Sequence, residues 1–393
     1  MDLRDTPEEA VWREEVRAFI DRELPQRFKD EPMDSEEAAA LWGDPDMMAW
    51  RSKLAERGWI APSWPKEYGG AALTLMQQFI MGEEMAEAYA PSVGGAGISM
   101  VGPTLIAHGT EEQKKEFLSK ILSGETFFCQ GFSEPEAGSD LASLRTRAVR
   151  DGDEYVINGQ KTWTSMAHHA NWMFLLARTD AEAPKHKGIS YFLVEMKAPG
   201  IEVRPLPDIT GNVMFNEVFF DNVRVPATNI VGEENRGWYI ATTTLDFERA
   251  SAIGAVVALR QTVEQLIRIA KEGGEMSTLS RNPGLRQELA DRMIEVQVTR
   301  LMAYQIVSML GRGLIPNYQA SMLKTFATET VQRVAGTGVH LLGLYGGLYG
   351  EKAPEKGAIS RSYLNTLGLT IAAGTSEIQR NIIATRGLGL PRQ

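Results

Sequence analysis

Apolar positions recur at helical spacing in the first third of the chain. Val11, Trp12, Val16, Phe19 and Ile20 follow Thr6-Pro7-Glu8-Glu9, which supplies an N-cap, a proline at the first helical position and a capping glutamate. A second periodic segment spans residues 75–90, behind an aromatic, Pro- and Gly-rich loop from Trp59 to Gly70. A third helix opens at Thr110-Glu111-Glu112-Gln113 and stops near Ser123-Gly124. After Gly124 the texture changes. TFFCQGFSEPEAGSD, DEYVINGQKTWTS, NWMFLLART, GISYFLVEM and NEVFFDNVRV are short, rich in aromatic and branched residues, and separated by turn pairs such as Asp151-Gly152, Asn158-Gly159 and Asp221-Asn222. Strands at this spacing, with no helices between them, predict an antiparallel barrel or sandwich. From Gly237 the pattern is helical again: 238–271 up to Gly273-Gly274, then 284–310, then a helix starting near Pro316. A Gly-rich stretch, 343–357, precedes a last helix opening at Ser376. Long helices with short connections predict a bundle.

Helices, then strands, then helices is an α+β segregation, with boundaries predicted at 1–126, 127–236 and 237–393. A length of 393 residues agrees with several packed units, since a single core stops growing at about 250–300 residues. The net charge of −10 and the dispersed basic residues speak against a nucleic-acid partner. One cysteine, Cys129, excludes a disulfide scaffold and a cysteine-based metal site. The acidic N-terminus, MDLRDTPEEA, carries no apolar export segment, and no apolar run approaches the ~18 residues of a membrane span. A cytoplasmic protein is the expectation.

Three stretches could carry chemistry. GFSEPEAGSD, residues 131–140, sets Ser133 and Ser139 among small-residue turns at a strand end. It is either a site for a ring edge or phosphate, or an ordinary Pro/Gly loop. In QKTWTSM, residues 160–166, Trp163 lies among hydroxyls on a predicted strand, as a cofactor platform or as core. In LDFERASAIG, residues 245–254, Glu248 shares a helix face with Ala241, Thr244, Ser251, Ala252 and Ala255. A carboxylate on a small-residue stripe can be desolvated and raised towards a useful base, or it can belong to a buried ion pair. Asp246 and Arg249, three apart, can pair. No dinucleotide fingerprint occurs: GTGVHLLG, residues 336–343, has the wrong glycine spacing and no preceding strand. The adjacent His168 and His169 would point to opposite faces of a strand and make a poor metal pair, so no metal is expected.

Together these stretches resemble the acyl-CoA dehydrogenase family of flavoproteins, in order and over nearly the whole chain. GFSEPEAGSD fits the family's first signature throughout, and KTWTS, LDFER and AGTSEIQR fit further segments. The resemblance implies an N-terminal helical domain, a middle antiparallel β-barrel and a C-terminal four-helix bundle, with FAD bound without a Rossmann unit. Cofactor contacts are implied at Gln130, Phe132, Ser133, Gly138 and Ser139 in the first segment. Trp163, Thr164 and Ser165 follow in the second, with the tryptophan on the flavin and the Ser165 hydroxyl near its N5, and Thr375 and Glu377 in the last.

Many members carry the catalytic glutamate just before the Gly374-Thr375 turn, where this chain has Ala373. Others, similar to isovaleryl-CoA dehydrogenase, place it on the earlier helix before an arginine, which is Glu248 here. Acyl-CoA is then implied beside Ser139, Asp246, Arg249 and Ala373, with the amide of Ala373 holding the thioester oxygen. The implied reaction is α,β-dehydrogenation to the trans-2-enoyl thioester. The family's Arg-x-x-Phe-Gly segment is replaced by GGEMSTLSRNPG, residues 273–284, and His340 stands where a glutamine is usual. Such variants resemble bacterial enzymes of branched, cyclic, dicarboxylic or steroid-side-chain thioesters. Implied partners are electron-transfer flavoprotein and further subunits, as a homotetramer or as a heterotetramer with a related chain. Two alternatives stay open: a non-catalytic partner subunit of such an assembly, and an oxygen-using relative of acyl-CoA or nitroalkane oxidases.

Overall fold

The computed structural model describes residues 4–29, 38, 40–250, 253–272, 278, 282–350 and 352–391, with side chains left out at 246–250 and 253–255. The chain divides into two compact units: residues 1–74 with 88–251, and residues 75–87 with 252–393.

In the first unit, α1 (Pro7–Glu23) starts at the predicted capping box. The Thr6 hydroxyl accepts the Glu9 amide, and the Glu9 carboxylate accepts the Thr6 amide. Its apolar stripe buries Val16, Phe19 and Ile20. α2 (Pro45–Glu56) is capped by Asp44. Beyond residue 88 a π-helical turn, Gly97–Val101, runs into α4 (Gly102–His108), and α5 (Glu111–Ser123) opens on the predicted Thr110/Gln113 box and ends at left-handed Gly124. The number α3 belongs to Leu75–Glu87, in the second unit.

Seven strands follow: β1 (Phe128–Gly131), β2 (Arg147–Asp151), β3 (Glu154–Lys161), β4 (Trp172–Arg178), β5 (Ile189–Glu195), β6 (Ile201–Leu206) and β7 (Phe215–Pro226). They pair in the order β1-β4-β2-β3-β7-β6, with β5 on β4. The expected sheet was antiparallel throughout, but β1 lies parallel to β4, Phe128 opposite Trp172. The β2–β3 hairpin lies between them in sequence, and a parallel pair needs such a long connection. The sheet is curled, and among the described residues no pairing joins β6 back to β1 or β5. Its core is Tyr155, Ile157, Met173, Leu175, Phe192, Val194, Val218 and Val223. Each such side chain contributes about 1.5–3 kcal/mol on burial. The unit closes with α6 (Gly237–Ala250), whose Thr244 hydroxyl meets that of Thr104 at 2.8 Å.

The helix expected over 238–271 is described as α6 and α7 (Ile253–Lys271), residues 251 and 252 lying outside the described residues. The second unit packs α7 with α8 (Pro283–Gly311) and α9 (Tyr318–Leu342) around Leu259, Val263, Leu266, Leu289, Val296 and Val334. α3 joins it through Phe79, against Tyr304, Val307 and Leu323, and through Glu83, 3.0 Å from Arg300. α10 (Ala358–Leu369) and α11 (Ser376–Ile382) complete the described helices of this unit.

Candidate active site

β1 ends at Gly131, and the loop 132–140 doubles back at once. The Glu134 and Ala137 backbones bond to each other at 3.0 Å in both directions, and the Ser133 carbonyl accepts the Thr162 amide at 3.0 Å. The loop therefore lies against the end of β3. A buried ion pair holds it there: Lys161 Nζ is 2.8 Å from Glu134 Oε1, with both residues enclosed. The same ammonium donates to the Phe132 carbonyl at 3.0 Å, and Glu134 accepts the amides of Arg145 and Thr146 at 2.6 and 2.9 Å. Burial lowers the Lys161 pKa to about 8 against the pull of Glu134. Burial alone would raise Glu134, but the Lys161 charge and the donors of Arg145 and Thr146 outweigh it and hold the carboxyl below its usual value.

The strand expected through Trp163 ends at Lys161. Trp163 has φ +58° and Met166 φ +60°, a left-handed backbone that a strand cannot contain. The same break puts His168 and His169 in a turn with their rings 4.1 Å apart, rather than on opposite faces of a strand. Asn216 of β7 fixes the turn: its side chain donates to the Thr164 carbonyl at 3.1 Å, and its carbonyl accepts the Thr164 amide at 3.0 Å. The outcome is an indole that is 59% exposed on a well-anchored backbone. An aromatic side chain held in a strained conformation and left open suits a face for a flat ring.

Gln130, Trp163 and Ser165, three of the expected cofactor contacts, line one cavity of about 270 Å³ together with Trp42, Gly95 and Met100. Thr164 is fully buried, and among the described residues its hydroxyl has no partner. The Phe132 ring packs in the core against Phe174 and Tyr191, which leaves its backbone as the available contact. Ser133, Gly138 and Ser139 are half-buried or exposed on the loop, outside that cavity, and a Cβ at Gly138 would meet open space.

In the second unit, Thr375 caps α11, its hydroxyl oxygen accepting the Ile378 amide at 3.2 Å. Glu377, its carboxyl held below the usual range by its own backbone amide and the Thr375 hydroxyl, borders a cavity of about 530 Å³. Ser376, Gln332, Arg333 and Arg380 line it too, and among the described residues the buried Ser376 hydroxyl has no partner. Before the cap, Ala373 adopts φ +52° and Gly374 φ +85°. The Ala373 carbonyl accepts Gln379 Nε2 at 3.0 Å, and among the described residues no acceptor meets its N–H.

Asp246, Glu248 and Arg249 lie on the α6 backbone, but their side chains are outside the described residues, as is 273–281 apart from residue 278. His340 makes a 2.9 Å contact from Nδ1 to Glu288. The sequence reading missed Trp42 and Met100 as cavity walls and Glu134–Lys161 as the brace. A lysine between Gln160 and Thr162 at the end of an apolar strand is the one signal it offered.

Family models for the acyl-CoA dehydrogenase N-terminal, middle and C-terminal domains match residues 6–125, 129–223 and 235–388. The chain belongs to the acyl-CoA dehydrogenase family. It is 39% identical over 347 residues to acyl-CoA dehydrogenase IpdE1 of Mycobacterium tuberculosis, covering 88% of each chain. Acyl-CoA dehydrogenase FadE26 of the same organism is 35% identical over 407 residues, covering 100% of this chain and 99% of that one. Among solved structures, a Tcur3481-Tcur3483 steroid ACAD superposes with a TM-score of 0.87 at 35% identity over the whole of both chains. The ChsE4-ChsE5 complex from M. tuberculosis does so with 0.83 at 33%, again over both whole chains. The family is FAD-dependent, and this member is an oxidoreductase with FAD as its cofactor. The exposed Trp163 face and the Thr164 hydroxyl, unpartnered among the described residues, fit such a group. No described helix is long and apolar enough to cross a membrane.

Proposed function

We propose that the protein dehydrogenates the α,β-bond of an acyl-CoA with a branched or ring-bearing acyl group, giving the trans-2-enoyl thioester. The observation that carries this reading is the Ala373 amide. It sits on a left-handed turn between small residues, with its carbonyl tied back and, among the described residues, no acceptor on its N–H. A preorganised donor aimed where enolate charge develops lowers the barrier to removing a weakly acidic α-proton. Glu248 accepts that proton, and Arg249 and Asp246 flank it on α6. Bound FAD supplies a two-electron acceptor for the β-hydride. The Trp163 face, Gln130 and Ser165 orient the ring system. Gly138, Ser133 and Ser139 contact it from the loop that the Glu134–Lys161 pair holds, and Thr375 and Glu377 contact it from the start of α11.

Ala373 stands where a carboxylate is common, and Ala372 beside it is also small, which leaves room for bulk near the α and β carbons. The naming of one similar structure as a steroid ACAD supports a ring-bearing acyl group. One of the similar structures is named as a ChsE4-ChsE5 complex and another carries two chain names, Tcur3481-Tcur3483, which supports a heteromeric assembly with a related chain. Electron-transfer flavoprotein is the proposed electron acceptor. The test is anaerobic mixing of the FAD-loaded protein, alone and co-purified with its partner, with straight-chain, branched, alicyclic and steroid acyl-CoAs. Flavin bleaching with release of enoyl-CoA is expected for the bulky thioesters. Bleaching by none of them sinks the reading.

A further inference from the structure

Lys324, on α9, reaches across the second unit to the turn that carries Ala373. Its ammonium donates to the Gly374 carbonyl at 2.8 Å and to the Leu369 carbonyl, at the C-terminal end of α10, at 3.1 Å. Among the described residues no carboxylate lies within ion-pair distance of it, and the group is half-buried. The position before Gly374 that could have held an acid is Ala373. A cation satisfied by two backbone carbonyls keeps its full charge, and at this depth water screens it only in part. Burial lowers the Lys324 pKa, while Glu329 and Glu377 act in the other direction.

The bonding around the turn is asymmetric. The Ala373 carbonyl is held by Gln379 and the Gly374 carbonyl by Lys324, so the acceptors of these peptides are committed to protein donors. Among the described residues the Ala373 N–H is left over. We propose that Lys324 is a positioning residue for dehydrogenation: it locks the turn with its unused amide free and adds a fixed positive charge behind the point where the thioester enolate develops. The proposal rests on the acyl-CoA dehydrogenation reading above. Lys324 does not touch the substrate. It acts through the peptides of the turn and through its field.

The test uses the FAD-loaded full chain, in its complex where co-purification yields one. The probe is a 3-thia analogue of whichever acyl-CoA bleaches the flavin. Its α-proton can leave but its β-position cannot give up a hydride, and the enolate gives a long-wavelength band with the flavin. Lys324→Met removes the charge at similar length, and Lys324→Arg keeps it. The expected result is that Lys324→Met retains FAD but raises the pH at which the probe ionises by about one unit, equivalent to about tenfold in proton affinity. Flavin reduction by substrate slows by a similar factor, and Lys324→Arg recovers most of both. A purely structural role would alter FAD content or melting temperature while leaving the ionisation of the bound probe in place. Unchanged ionisation in a folded Lys324→Met protein overturns the proposal. If that variant does not fold, Lys324→Gln, which keeps a neutral donor for one carbonyl, asks the same question with the same two outcomes. Failure of the wild type to bleach with any acyl-CoA overturns the underlying reading instead, so the two failures are distinct.

Discussion

Lys161 and Glu134 form a buried ion pair, 2.8 Å apart, at the point where the loop 132–140 crosses the end of β3. Each belongs to a different segment proposed to contact FAD, so the pair sets one segment against the other. Removing one partner strands a buried charge, which costs about 3–5 kcal/mol. Lys161→Met and Glu134→Gln should each lower the melting temperature and release FAD more readily. The double variant should lose less than the sum of the two, which a double-mutant cycle by thermal unfolding measures. Additive losses would mean that the two groups do not act as a pair.

The same carboxylate gives an acid signature. The Glu134 pKa is depressed in the folded state, so at acid pH the unfolded chain binds the extra proton and the carboxylate's stabilisation is lost. That contribution is complete above the unfolded value of 4.5 and disappears as pH falls through the lower folded value. The Glu134→Gln protein should be less stable near neutrality but show a shallower loss of stability below about pH 4.5. Parallel acid-unfolding curves for variant and wild type would assign the acid sensitivity elsewhere.

Trp163 is held at φ +58° with its ring exposed. If the ring stacks on the flavin, Trp163→Ala should weaken FAD binding about 2- to 10-fold, corresponding to roughly 0.5–1.5 kcal/mol for an aromatic pair. It should also abolish the quenching of tryptophan emission on FAD addition that this residue supplies. Trp163→Phe should keep most of the affinity. Reconstitution titrations by fluorescence provide the measurement, and equal affinity in all three proteins would rule out the stack.

How much of this was legible differs between parts of the chain. Helix starts were, because capping is local chemistry: Thr6 with Glu9 and Thr110 with Gln113 are bonded as their spacing predicts. The parallel β1–β4 pair was not, because neither strand's alternation specifies a partner's direction. Nor was the break after Lys161, since WTSM has strand-like residue types and the left-handed values at Trp163 and Met166 are imposed by Asn216 and Met214, far along the chain. The site residues were legible only as motifs. Lys324 was invisible, because a lysine on a long helix looks like solvent-facing charge until the turn it meets is placed beside it.

Glu248 is the proposed base, and Ala373 leaves no carboxylate at the turn. Removal of a general base costs about 10²–10⁴ in rate. Glu248→Gln should keep FAD and bind enoyl-CoA product normally, while stopped-flow flavin reduction slows by that factor. Unchanged reduction kinetics would mean that another group takes the proton.

Selectivity should respond to the small pair before the turn. Ala372 and Ala373 are exposed, and many straight-chain enzymes of the resembled family carry a tyrosine and a glutamate there. Because Ala372 is exposed, Ala372→Tyr should cost folding little, and its effect should fall on whatever lies beside the α and β carbons. A misfit of methylene size in an apolar pocket is worth about 1–3 kcal/mol, or roughly 10–200-fold in kcat/KM. The comparison is kcat/KM for straight-chain and for branched or alicyclic acyl-CoAs of equal carbon number, in wild type and in Ala372→Tyr. Wild type should favour the bulky thioesters, and the variant should lose them by that factor while straight chains change far less. The loss should be carried mainly in kcat, because a shifted thioester still binds through its CoA but holds its α-carbon out of line with the base and the Ala373 amide. A wild-type preference for straight chains, or equal losses in both classes, would mean that the acyl group is not shaped at this turn.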